Sequence, residues 1–132
     1  MQRYKLNDLL KFVRDTDTKG QYKELSNNHI RTYLYESLKK NCLYFVHDSS
    51  DRLIGFIEWY RVSNWDSFVR NIAQSPHAKS DRFGKFIWIQ STVFKKGTLS
   101  PSVFKTFLGF HKDIHNYFRF DYKRKKFIYK KF

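Results

Sequence analysis

The 132-residue chain is expected to fold as a single α/β (α+β) domain, with a mixed, mostly antiparallel sheet and helices on both faces. Three observations predict this. Apolar spacing is helical over the first forty or so residues, turns strand-like, and later returns to helical once more. Hydrophobic residues form 41% of the chain and aromatics 20%, enough for a packed core and too apolar for a disordered chain. Glycine and proline are scarce and no repeat or linker is visible, so one domain of short connections fits the length.

Taken in order, Leu6, Leu9, Leu10 and Val13 recur at helical spacing and make KLNDLLKFVRD an amphipathic first helix. A polar break over 15–21 follows. A second helix, capped by Ser26 or Asn28, aligns Ile30, Tyr33, Leu34 and Leu38 and ends near Asn41. CLYFVHD and RLIGFIEWYRV are β-rich runs around Asp48-Ser49-Ser50-Asp51, which reads as a hairpin. Residues 63–84 form an insertion that could hold a helix from Trp65 to Ala73, stopped by Pro76. KFIWIQSTVF is a third strand, apolar enough to be covered on both faces. After Lys95-Lys96-Gly97, Ser100 at the N-cap and Pro101 at N1 start a helix through SPSVFKTFLGFHKDI, whose apolar side takes in Phe107, Leu108 and Phe110. NYFRFDY and KFIYKKF close the chain as a second hairpin. The segments are thus 1–41 helices, 42–62 hairpin, 63–84 insertion and 85–132 strand, helix and hairpin.

Charge narrows the function classes. With 26 basic and 12 acidic side chains the formal net charge is +14, which points to an anionic partner such as nucleic acid, a polyphosphate cofactor or an acidic protein. A surplus of solvated lysine is the plain alternative. A single cysteine, Cys42, forms no intrachain disulfide and suits a reducing compartment. No apolar run approaches the roughly 20 residues that span a bilayer, and the N-terminal stretch lacks a signal-peptide core. A cytoplasmic protein is expected, in a host cytoplasm or virion if phage-encoded.

The order of elements and several segments resemble the GCN5-related N-acetyltransferase (GNAT) family, in particular its compact phage and prophage members. The matching parts are LYFVHDSSDRLIGFIEWYRV with its Ile54-Gly55-Phe56 step, GKFIWIQSTVF, the helix after it, and the basic aromatic last hairpin. The resemblance implies an acetyl-CoA loop after the third strand, where backbone amides and a helix N-terminus hold the pyrophosphate. Val93, Lys95, Lys96, Gly97, Thr98 and Ser100 occupy that place. Of the glycines in the family's Arg/Gln-x-x-Gly-x-Gly/Ala loop one remains, and Pro101 removes an amide just beyond it. The resemblance further implies a carboxylate base and a tyrosine acid, for which Glu58 and Tyr117 are the candidates. Glu58 could equally sit on the solvated side of its hairpin, paired with a lysine.

Other constellations invite other chemistry. Arg119, Lys123, Arg124, Lys125, Lys126, Lys130 and Lys131 interleave with aromatics in the last hairpin, a pattern suited to phosphates and bases. Simple alternation between a core face and a wet face gives the same pattern. His111 and His115, four apart, have the spacing of a zinc pair but lack an H-E-x-x-H context, so no metal is expected. Cys42 reads as a small buried hydrophobe. Two functions follow: transfer of an acetyl group from acetyl-CoA to an amine, or a non-catalytic protein of the same fold that binds nucleic acid or an acidic assembly.

Overall fold

The computed structural model describes residues 4–17, 22–63, 84–111 and 113–114, and the backbone of strands 116–121 and 126–131. Among the described residues eight elements follow one another: α1 (Leu6–Thr16), α2 (Asn27–Lys39), β1 (Leu43–His47), β2 (Leu53–Val62), β3 (Phe86–Phe94), α3 (Pro101–Gly109), β4 (Asn116–Asp121) and β5 (Lys126–Lys131). The five strands form one sheet in the order β1-β2-β3-β4-β5. β3 and β4 run parallel, with Phe86 opposite Asn116 and Ile89 opposite Arg119, whereas β4 and β5 are antiparallel. The sheet is therefore mixed, as expected. The expected helix over 65–73 lies outside the described residues, as does the 123–125 part of the last turn.

Contacts group the chain into two compact units, one of residues 1–57 and 91–100, the other of 58–90 and 101–132. The first unit is built around the two N-terminal helices. Leu9, Leu10 and Val13 of α1 pack with Ile30 and Leu34 of α2, Leu43, Phe56 and Val93. Side chains hold the α1–α2 connection: the Asp17 carboxylate accepts from the Tyr22 N–H at 3.0 Å, and Arg14 does more. Arg14 donates to the carbonyls of Tyr22 and Leu25 and, at 2.7 Å, to Asn27 Oδ1. Three backbone or amide oxygens thus converge on a single guanidinium, whose rigid fork suits that task. Ser26 caps α2 by accepting from the His29 N–H at 3.1 Å, and the alternative Asn28 falls inside the helix.

Turn chemistry sets the β1–β2 hairpin. Asp48 N–H donates to the Arg52 carbonyl, and Asp51 N–H to the Asp48 carbonyl. The Asp48 carboxylate accepts from the Ser50 and Arg52 amides, and Arg52 Nε lies 3.1 Å from it. Those amides, Arg52's first, hold its carboxyl below the usual carboxylate range. Asp51 takes a φ of 63°, a left-handed position that a short polar side chain tolerates.

In the second unit, Ile87, Trp88 and Ile89 are buried in succession, so that stretch of β3 is covered on both faces, as its apolarity predicts. Phe107 is the one buried residue of α3. The helix is shorter than its apolar spacing predicts. It ends at Gly109, and the chain continues in turns in which Phe110 N–H donates to Phe107 O and His111 N–H to Leu108 O. Phe110, expected on the apolar side, is 70% exposed beyond that end.

Candidate functional site

The 95–100 loop belongs to the first unit and its geometry is explicit. Lys95 N–H donates to the Ile54 carbonyl at 2.9 Å, tying the end of β3 to β2. Thr98 N–H and Thr98 Oγ1 both donate to the Lys95 carbonyl, at 3.1 and 2.6 Å. Gly97 has φ 78° and Lys96 does not share that sign. A bond from the fourth residue to the first, with positive φ at the third alone, is the signature of a type II turn. Gly97 therefore has a local reason to be glycine. A Cβ there would meet open space, so the requirement comes from backbone conformation and from no neighbour.

Lys95, Lys96 and Gly97 are exposed, and no backbone acceptor among the described residues takes the amides of Lys96 and Gly97. Two ammonium groups and two amides without a backbone acceptor, at one exposed turn, can receive an anion. Ser100 directly precedes Pro101, where α3 begins as expected. Val93, by contrast, is part of the apolar core of the first unit.

The Ile54-Gly55-Phe56 step also has a physical cause. A Cβ on Gly55 would lie 2.1 Å from Cδ1 of Phe94, so the ring lies directly over the bare α-carbon. Phe56 is fully buried and its ring stands 6.2 Å from those of Phe12 and Phe45.

Glu58 belongs to the second unit. It is 1% exposed, which overturns the reading that it faces solvent on an open strand. Burying a carboxylate is costly unless the protein compensates it, so its presence on a central strand calls for a reason. Glu58 is engaged by interactions within the protein, while its Oε2 atom is fully enclosed.

The same unit holds a constellation that sequence reasoning did not assemble. Arg61 on β2 forms a two-pronged ion pair with Asp113, both bonds 2.8 Å long. The guanidinium pulls the Asp113 carboxyl down to about 2, and its hydrogen bond to Asp113 raises Arg61 in turn. His111 sits beside this pair with its ring 4.5 Å from Trp59 and 5.2 Å from Phe107, both edge-on. Burial chiefly, and then the Arg61 charge, push the imidazole below its usual range, so it is neutral at pH 7. His111 lies past the end of α3, which removes the helical i, i+4 basis for pairing it with His115; His115 itself is outside the described residues. No group of three metal-binding side chains occurs among the described residues.

Tyr117 stands in register with Ile87 on β3 and Lys130 on β5, and Arg119 with Ile89 and Ile128. The β4–β5 register matches Phe118 with Tyr129 and Phe120 with Phe127, while Asp121 meets Lys126 and Asn116 meets Lys131. Two aromatic pairs thus face each other in register, and Tyr117 meets Lys130. Lys123, Arg124 and Lys125 lie outside the described residues.

This architecture is the fold of the GNAT acyltransferases, and solved structures of that fold match it along most of its length. One is the loading GNATL domain of CurA from Lyngbya majuscula, 11% identical with a TM-score of 0.55, matching 90% of this chain and 62% of that domain. A second is the GphF GNAT-like decarboxylase bound to isobutyryl-CoA, at 11% identity and a TM-score of 0.56, over 93% of this chain and 68% of that one. A third is Naa20 from Chaetomium thermophilum with a bisubstrate analogue, at 15% identity and a TM-score of 0.51, over 91% and 60%. The chain spans about three fifths of the CurA domain's length. No protein-family profile and no curated protein sequence matches it. The matched structures establish the fold and do not single out the phage-type subgroup. No helix among the described residues is long and apolar enough to cross a membrane.

Proposed function

We propose that the protein binds a coenzyme A thioester and transfers its acyl group, acetyl in the simplest case, to an amine. The observation that carries this reading is the buried Glu58, kept on a central strand of a fold whose solved examples include a complex with isobutyryl-CoA. In this reading residues 95–100 take the anionic end of the cofactor through Lys95, Lys96 and the amides of the turn. The amine nitrogen attacks the thioester carbonyl, a C–N bond forms, the C–S bond breaks, and the thiolate leaves as the free thiol. Glu58 takes the proton released by the amine, directly or through water, and Tyr117 supplies one to the leaving sulfur.

Thermal denaturation with acetyl-CoA, ATP or a short DNA at physiological salt tests it. A ligand at about 100 times its dissociation constant adds roughly 2.7 kcal/mol, several degrees for a chain this size. A shift with acetyl-CoA that ATP does not match is expected. Equal shifts with every polyanion, erased by salt, would sink the acyltransferase reading. With acyl transfer in hand, E58Q should lower kcat at least about a hundredfold and flatten the acid limb of the rate profile.

One observation favours a second reading. The type II turn accounts for Gly97 without any cofactor, and a net charge of +14 needs no loop to attract anions. In that case the protein keeps the fold without catalysis and binds nucleic acid or an acidic protein, as a component of a phage or mobile element would. In this reading the basic residues of the last hairpin, Arg119, Lys126, Lys130 and Lys131 among them, supply the phosphate contacts.

A further inference from the structure

Within the second unit, half-buried His111 stands where the chain leaving α3 meets β2. β2 supplies Trp59, whose ring lies 4.5 Å from the imidazole, and α3 supplies Phe107 at 5.2 Å. Two residues on, Asp113 gives both carboxylate oxygens to Arg61 of β2 at 2.8 Å, and Ile114 is buried. The turns here also have short-range bonds of their own: Phe110 N–H donates to Phe107 O, His111 N–H to Leu108 O and Ile114 N–H to His111 O. Of the groups that fasten this stretch, the imidazole is the one whose charge changes near neutral pH.

We propose that the chain leaving α3 is latched to β2 through His111, and that a proton on this imidazole releases it. A seat between two aromatic rings suits an uncharged imidazole, whereas an imidazolium loses its hydration there. Among the described residues, the charged groups that act on the ring are Arg61 and Asp113. Arg61 repels an added proton. Asp113 attracts it, but both its oxygens are engaged by the guanidinium, and Lys85 draws on the same carboxylate. α3 faces the ring with Phe107, which carries no charge. The closed form therefore resists the proton, and the form that accepts it is one in which His111 has left Trp59. Asp113 lies on the same turns, so its hold on Arg61 loosens with it. Mild acid thus frees the lead-in to β4, whose first residue, Asn116, follows Ile114 by two positions. The latch needs no cofactor and does not rest on acyl transfer.

Tryptophan emission and hydrogen exchange of the full chain, followed from pH 7.5 to 5, test this. Emission should move to longer wavelength with a midpoint below 6.5 as Trp59 loses its cover. W59F and H111N should each lack that shift. Over the same range, protection of the Phe110, His111 and Ile114 amides should fall about tenfold or more, after allowance for the intrinsic effect of pH on exchange, while the amides of β3 keep theirs. Exchange in the unmodified chain decides the matter where a variant does not fold. Unchanged protection at these three amides, a loss shared equally by β3, or an emission shift that H111N retains would each overturn the proposal.

Discussion

A methyl group on Gly55 would fall 2.1 Å from a ring carbon of Phe94, whereas one on Gly97 would touch nothing. The two glycines therefore answer to different forces. G55A overpacks the first unit and should cost about 1–3 kcal/mol in urea denaturation, with partial recovery when F94L is added. G97A pays for left-handed backbone alone, about 1–2 kcal/mol, and G97N should recover much of it. Ionisation is the other residue-scale lever. His111 is held below its ordinary 6.5 by burial first, so folding favours its neutral form. That contribution is complete above pH 6.5 and is lost as pH falls through 6.5 towards the lowered value. Asp113, held at about 2, contributes above its ordinary 3.8 and loses that contribution as pH falls towards 2. Melting temperature followed from pH 7.5 down should therefore decline in two stages, and H111N should remove the first.

At the scale of elements, legibility followed locality. The β1–β2 hairpin was readable because Asp48 and Asp51 write their own turn through hydrogen bonds to residues at most four away. The α2 start was readable for the same reason, and S26A should cost about 1 kcal/mol by unfolding titration through loss of the bond from His29 N–H. The end of α3 was not readable. Apolar spacing runs on to Phe110, yet Ile114 is buried and Asp113 reaches Arg61, which is 52 positions away. Those contacts draw the chain out of the helix after Gly109, and no local signal encodes them. The Trp59–His111–Arg61–Asp113 constellation stayed hidden for that reason. Glu58 was nominated from the sequence, but its burial depends on what covers β2 and could not be read from alternation.

For the molecule as a whole, charge sets the behaviour in solution. An excess of 14 positive charges repels itself, so added salt from a few millimolar to physiological strength should raise the melting temperature in the absence of any ligand. The order of helices and strands was legible from periodicity and, through it, so was the fold. The 95–100 loop was only half legible, because one glycine serves a turn and a phosphate cradle equally well. A last feature concerns how such a chain can change over time. A Cβ on Gly84 would come within 2.4 Å of the backbone of Val62, so the main chain leaves β2 and comes back almost onto itself before β3. Twenty-one residues, 63–83, are thus strung between two points that already touch. A segment anchored in this way can lengthen, shrink or be exchanged for a foreign one at small entropic cost, and the strands on either side need not move. The junction is a socket, and lineages sharing this frame are free to differ most in what they plug into it.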